Sequence, residues 1–255
     1  MKYLILGDIH GVEYWKNVIE LENPDKTIFV GDYVDSFTIG VEKQIKNLEK
    51  ILLEKRMNPD NVVLLLGNHD YHYSDLCGPL EQYSGFKKST KNGVNKMITK
   101  AILNNKIQIA YLLEDKYLIT HAGVSNTWLD SIIENFEDKY ERLDDYINKA
   151  FINSSYLFDF YGTNPYGDNV TQGPLWIRPR SLYTDLMDKY IQIVGHTKQE
   201  TISHDPEKKL YLIDTFSERT KGEAHYIIIE NDEIITKTYR IPKDRSFIFE
   251  NYPVD

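Results

Sequence analysis

The chain has 255 residues, 41% hydrophobic and 27% charged, with a formal net charge of -9. No apolar run approaches the ~20 residues of a membrane helix, and the acidic balance argues against a broad surface that tracks nucleic-acid phosphates. One cysteine, Cys77, excludes an intrachain disulfide and a thiolate metal site and fits a reducing, cytoplasmic compartment.

The first element is "YLIL", a strand signal too short for a signal peptide, ending at "GDIHG" (Gly7 to Gly11). Residues 12–21 follow as a short helix, and then "TIFV" runs into "GDYVDS" (Gly31 to Ser36). Val41, Ile45, Leu48 and Leu52 share one helical face. "VVLLL" stops at "GNHD" (Gly67 to Asp70), and "YLIT" at "HAG" (His121 to Gly123). From Asn126 to Phe151 the residues Trp128, Ile132, Phe136, Tyr140, Leu143, Ile147 and Phe151 keep helical spacing, as the core-facing stripe of one pattern. The Gly, Asn, Pro and Tyr-rich stretch over 156–174 reads as a long loop, so residues 126–174 form a helical and loop insertion in one domain, 1–255. "IQIV" leads to "GHT" (Gly195 to Thr197), and "KLYLIDT", "AHYIIIE" and "EIITKTYRI" close the chain as strands, with "END" a hairpin turn between the last two.

Five apolar runs thus end at glycine or at a side chain that binds metals. Strand, helix, strand order makes a largely parallel sheet, and ligands of such sheets lie beyond the carboxyl ends of the strands, where all five junctions would gather. Four of the seven histidines, His10, His69, His121 and His196, stand there with Asp8, Asp32, Asp35, Asn68 and Asp70. Imidazole with carboxylate suits manganese, iron or zinc. So many ligands exceed the needs of one ion and match two ions roughly 3.5 to 4 Å apart.

"GDIHG", "GDYVDS", "GNHD", "HAG" and "GHT", in this order, resemble the calcineurin-like metallophosphoesterases, above all their serine/threonine protein phosphatase branch. The resemblance spans Gly7 to about Thr215. It implies an α/β sandwich of two packed β-sheets flanked by helices, with a dimetal site at the strand ends. Asp8 and His10 would bind the first metal, Asp32 would bridge, and Asn68, His121 and His196 would bind the second; manganese is expected first, with iron or zinc as alternatives. A metal-bridging hydroxide would attack phosphorus, and His69 would protonate the leaving oxygen with Asp35 behind it. The branch usually has an arginine where this chain has Ser36, and Arg178 in "LWIRPR" is the matching phosphate-binding candidate, with Arg180 a weaker one. Ser36 in place of a cation favours a diester or dinucleotide over a doubly charged monoester. Asp70 also departs, since the branch more often has glutamate.

The remaining polar residues are read as ordinary. His72, His204 and His225 lack strand-end company and are expected at the surface or in structural roles, with contact to substrate the lesser alternative for His72, which lies just beyond "GNHD". Asp214 in "IDT" resembles the branch's closing strand and is expected to be structural, and Cys77 has nothing beside it to activate a thiolate. The tyrosine-rich stretch 156–166 could stack a base, shape a peptide groove or simply pack. The expected function is hydrolysis of a phosphoprotein or small phosphomonoester, with a dinucleoside polyphosphate hydrolase or phosphodiesterase as the alternative and no membrane partner. A metal-binding interaction module without activity is disfavoured by the intact His69 and Asp35.

Overall fold

Residues on the apolar runs alternate between two buried faces, and that alternation builds the layers. The computed structural model describes residues 1–78, 84–136, 141–160, 168–216 and 222–242. Its first sheet has the order β11-β10-β1-β2-β3-β4, from strands β1 (Lys2–Leu6), β2 (Lys26–Phe29), β3 (Val62–Leu65), β4 (Ile107–Gln108), β10 (Glu223–Glu230) and β11 (Glu233–Arg240). Its second runs β5-β6-β7-β9-β8, from β5 (Ala110–Leu113), β6 (Tyr117–Thr120), β7 (Ile191–Val194), β8 (Ser203–Asp205) and β9 (Leu210–Leu212). Ile5, Ile28, Val63 and Leu65 of the first sheet pack with Tyr117, Ile119 and Ile193 of the second in a dry layer between them. Their neighbours Leu4, Leu6, Phe29 and Leu64 face the other way, into a core shared with Trp15, Leu48 and Ile98 on helices α1 (Trp15–Glu22), α2 (Val41–Met57) and α4 (Lys88–Leu103), the single-turn α3 (Asn68–Tyr71) following β3. Strands covered on both faces read as continuous apolar runs, as these do. Two packed sheets with helices outside are the expected sandwich.

The sheets are mixed rather than largely parallel. Strands β1 to β4 pair in parallel, but β10 joins β1 antiparallel, and β5 and β8 flank the parallel β6, β7 and β9 as antiparallel edges. The "END" turn is present: Asn231 and Asp232 both take positive φ (51° and 65°), the two-residue hairpin geometry that suits the twist of the flanking strands.

Two helical expectations are corrected. The first helix begins at Trp15 instead of Val12, whose N–H donates to Ile9 O at 2.9 Å in the turn after the first junction. The pattern from Asn126 to Phe151 is two helices, α5 (Asn126–Asn135) and α6 (Leu143–Asn153), with Tyr140 outside the described residues. Ser125 Oγ caps α5 by accepting Trp128 N–H at 3.1 Å, while α6 restarts after an extended Arg142 and is tied to β5 by Leu112 N–H donating to Asp144 Oδ2 at 2.8 Å. The loop expected after it opens with a short 3-10 helix, Ser155–Phe158, and its residues 161–167 lie outside the described ones.

Candidate metal centre and acid-base pair

Each junction follows a strand end, so β1, β2 and β3 of one sheet and β6 and β7 of the other deliver their polar residues to one place. Four of those residues adopt left-handed backbone: His10 (φ 41°), Asp32 (51°), Asp35 (64°) and His196 (63°). Non-glycine residues avoid this region, and a group of them at one site is strain that the surrounding fold holds in place. Two glycines allow the close approach. A Cβ on Gly67 would lie 2.1 Å from Asp32 Oδ1, and one on Gly195 would lie 2.0 Å from Asp8 Oδ1.

Asp8, Asp32 and His121 form a buried cluster of metal-capable atoms. Asp32 presents Oδ1 to His121 Nε2 (3.5 Å) and Oδ2 to His10 Nε2 (3.7 Å), so its two oxygens face different histidines. Asn68 Oδ1 stands 2.9 Å from both His121 Nε2 and His196 Nδ1. The other ring nitrogen of each histidine meets a backbone carbonyl: His10 Nδ1 with Val34 O (2.7 Å), His121 Nδ1 with Val30 O (2.9 Å), His196 Nε2 with Trp176 O (3.1 Å). A carbonyl only accepts, so those nitrogens carry the hydrogens and the nitrogens facing the centre carry lone pairs. This outer hydrogen bonding is what orients metal-ligating histidines.

The charges point the same way. Burial, with Asp214 and Asp32 nearby, pushes Asp8 well above the usual carboxylate range, and burial with neighbouring Asp32 raises Asp214 to about 6 against the pull of His10. Burial lowers His121, and burial beside Arg178 lowers His196 far more, so both rings favour the neutral form that binds metal. Although burial opposes its charge, the histidines around it, the protonated His69 among them, hold Asp32 below its ordinary range. Buried carboxylates, neutral imidazoles and an amide oxygen with lone pairs converging fit divalent cations, and the oxygen and nitrogen set suits manganese, iron or zinc.

A second cluster, Asp35, His69 and His72, adjoins the first. His69 Nδ1 donates to Asp35 Oδ2 at 3.1 Å, and the rings of His69 and His10 lie 5.4 Å apart. Burial depresses the His69 pKa, but the Asp32 and Asp35 carboxylates outweigh it and raise it to about 9. Of the expectations for His72 the structural one holds and the surface one does not: it is fully buried, with Nε2 donating to Asp35 Oδ2 at 2.7 Å. Tyr73, unremarked in the sequence, donates its hydroxyl to Asp35 Oδ1 at 2.5 Å. Asp214, expected to be structural, is a buried carboxylate close to Asp32 and His10.

Asp70 uses both oxygens on backbone amides, Tyr33 N–H at 2.9 Å and Gly67 N–H at 3.1 Å, and so braces the second junction to the third. Arg178 directly precedes helix α7 (Pro179–Thr184) and donates Nη1 to His196 O (3.0 Å) and Thr197 Oγ1 (3.1 Å), which sets it at the rim of the centre. Arg180 is not brought in; its side chain is 90% exposed and reaches toward Asp168 at 4.0 Å. Ser36 Oγ accepts the N–H of Ile39 at 3.1 Å in its own turn, and the nearby ammonium is Lys87 Nζ, which donates to Ser36 O at 3.4 Å. His204 stacks on Tyr211 and His225 bonds Thr238, both away from the centre, while Cys77 packs half-buried against the core and Tyr156 is exposed. No described helix is long and apolar enough to cross a membrane.

A family model described as calcineurin-like phosphoesterase matches residues 1–197. No curated protein matches the chain. A mutant cold-active protein tyrosine phosphatase is similar at a TM-score of 0.60 and 18% identity, covering 94% of this chain and 80% of its own. The cold-active protein tyrosine phosphatase of a psychrophilic Shewanella species is similar at 0.55 and 15% identity, with 94% and 80% covered. A protein provisionally assigned as a diadenosine tetraphosphatase is similar at 0.53 and 14%, with 93% of each chain covered. At these identities the likeness speaks for the fold, and the family match over most of the length carries the assignment: the chain belongs to the calcineurin-like phosphoesterases, metal-dependent hydrolases of phosphoesters.

Proposed function

We propose that the protein is a two-metal phosphomonoesterase of the serine/threonine protein phosphatase type, acting on a phosphorylated protein, peptide or small phosphoester. The observation that carries this reading is the His69–Asp35 pair, hydrogen-bonded at 3.1 Å beside the buried Asp8, Asp32 and His121 cluster. Asp8, His10 and Asp32 would hold one cation, and Asp32, Asn68, His121 and His196 the other; such cations, manganese first among them, would supply an acidified water as nucleophile and neutralise phosphoryl charge. Arg178 turns its guanidinium to the nonbridging oxygens of the phosphoryl group. His69, with Nδ1–H on Asp35, gives the proton at Nε2 to the leaving oxygen, and Asp35 stabilises the imidazolium until that transfer.

A second reading, a dinucleoside polyphosphate hydrolase or phosphodiesterase, is favoured by Ser36. Its hydroxyl is committed to its own turn, so position 36 offers the phosphate no cation, and a diester carries less charge to neutralise. The test is steady-state hydrolysis by metal-stripped protein refilled with manganese, on p-nitrophenyl phosphate, bis-p-nitrophenyl phosphate, a phosphopeptide and diadenosine tetraphosphate in parallel. Phosphopeptide and monoester turnover that is lost in His69→Asn supports the first reading. Preference for the diester or the dinucleotide replaces it with the second, and no metal-dependent turnover of any substrate overturns both.

A further inference from the structure

Asp35 meets three polar hydrogens, of which one comes from His69. Its Oδ2 is shared between His69 Nδ1 at 3.1 Å and His72 Nε2 at 2.7 Å, and its Oδ1 accepts the Tyr73 hydroxyl at 2.5 Å. The Tyr73 oxygen in turn accepts the Lys87 backbone N–H at 2.9 Å. Asp35, His72 and Tyr73 are all buried, and the Asp35 carboxylate is wholly out of solvent.

A buried carboxylate bonded by one imidazole can turn about its side-chain torsions, whereas one bonded through both oxygens has a single orientation. The shorter bond to His72 and the hydroxyl on the opposite oxygen define that orientation, and both come from the stretch "GNHDYHY" that also supplies His69. The opposite side is closed by backbone. Gly85 (φ +91°) lies so near that a Cβ there would be 3.1 Å from His69 Cε1 and 3.3 Å from Asp35 Cβ. The separations within the Asp35, His69 and His72 cluster are those of hydrogen bonds, and Tyr73 occupies the remaining oxygen, so the cluster reads as a positioning network.

We propose that His72, with Tyr73 on the opposite oxygen, is a positioning residue for the acid step. It holds the Asp35 carboxylate so that an Oδ2 lone pair faces His69 Nδ1, which keeps the hydrogen there and leaves Nε2–H as the transferable proton. The proposal rests on the reading of His69 as general acid. His72 touches neither substrate nor metal; it acts through Asp35.

Loss of a general acid is felt most by substrates with poor leaving groups, and loss of packing alone lowers all rates together. The experiment therefore compares kcat on phenyl phosphate and p-nitrophenyl phosphate for the manganese-loaded wild type, His69→Asn, His72→Phe, His72→Gln and Tyr73→Phe, with metal content measured in each. His72→Phe is expected to lower the phenyl to p-nitrophenyl rate ratio about tenfold at unchanged metal content. His72→Gln, which keeps an N–H donor, is expected to restore most of that ratio, and Tyr73→Phe to lower it in the same direction. An unchanged ratio in His72→Phe, with the ratio lowered in His69→Asn, overturns the proposal and leaves the general-acid reading standing. An unchanged ratio in His69→Asn overturns that reading and the proposal with it. If His72→Phe does not fold, the ratio in Tyr73→Phe decides in the same way.

Discussion

Asn68 and His121 meet at 2.9 Å, oxygen to nitrogen, although they follow strands of different sheets. With His121 Nδ1–H donating to Val30 O, both facing atoms offer lone pairs, and His196 Nδ1 brings a third to the same oxygen. A cation bound between them would join one sheet to the other. Chelation is therefore expected to lower the melting temperature, and manganese to restore it with the logarithm of its concentration, adding ~4 kcal/mol of stability at a thousandfold excess over Kd. Asn68→Ala should carry less manganese per chain by elemental analysis; an unchanged stoichiometry contradicts its place as a ligand.

His69 sets a sign for the pH profile. Its pKa is raised to about 9, since the Asp32 and Asp35 carboxylates outweigh burial, and bound cations beside it bring that value down. If the protonated ring gives the proton, kcat falls as pH rises through that pKa. His69→Asn should lower kcat by ~100-fold to 1000-fold and remove this alkaline limb. A limb that survives in the variant belongs to another group.

Gly195 is close-packed on a proposed ligand. Gly195→Ala places a Cβ 2.0 Å from Asp8 Oδ1, so either the carboxylate or the β7 junction must shift. The expected result is a loss of ~1 to 3 kcal/mol in stability together with weaker manganese binding. Denaturant unfolding with and without the ion measures both.

Glu22, at the end of α1, ties β1 to β10 and β11. Its buried carboxylate accepts the Tyr226 hydroxyl at 2.6 Å and meets Lys2 and Lys237 at 2.8 Å each. Burial opposes its charge, but Lys2, Lys237 and Tyr226 lower the pKa from 4.5 to about 2. A pKa depressed on folding adds stability that is present above 4.5 and is lost as pH falls from there toward about 2. Glu22→Gln should cost ~2 kcal/mol near neutral pH, and the difference from wild type should close over that acid window. A difference that stays constant with pH refutes the linkage.

Ser36 tests the substrate class. Ser36→Arg returns a cation to the junction after β2 and should raise kcat/KM on p-nitrophenyl phosphate relative to bis-p-nitrophenyl phosphate by ~10-fold. An unchanged ratio removes Ser36 as a determinant of monoester against diester.

The strand-end motifs were legible because a polar group placed directly after an apolar run can only sit at the end of a buried strand. Asp8, His10, Asp32, Asn68, His121 and His196 follow from that rule together with the family resemblance. His72 was not legible: its partner Asp35 is 37 residues away, and nothing local distinguishes a histidine turned inward after a short helix from one left at the surface. The break between α5 and α6 was hidden because the apolar spacing continues in phase across it. Asp214 read only as structural, because its closeness to the other carboxylates is set by the fold.

The sequence by itself determined the chemistry available: the acidic and imidazole donors, the acid candidate, the cation missing at position 36 and the apolar runs that carry them. Only the tertiary structure decided which sheet each run joins, which nitrogen of each histidine faces the centre, and how Asp35 is held. An apolar strand buried on both faces looks the same in either sheet, and a ring nitrogen's role depends on a carbonyl that the fold brings from elsewhere.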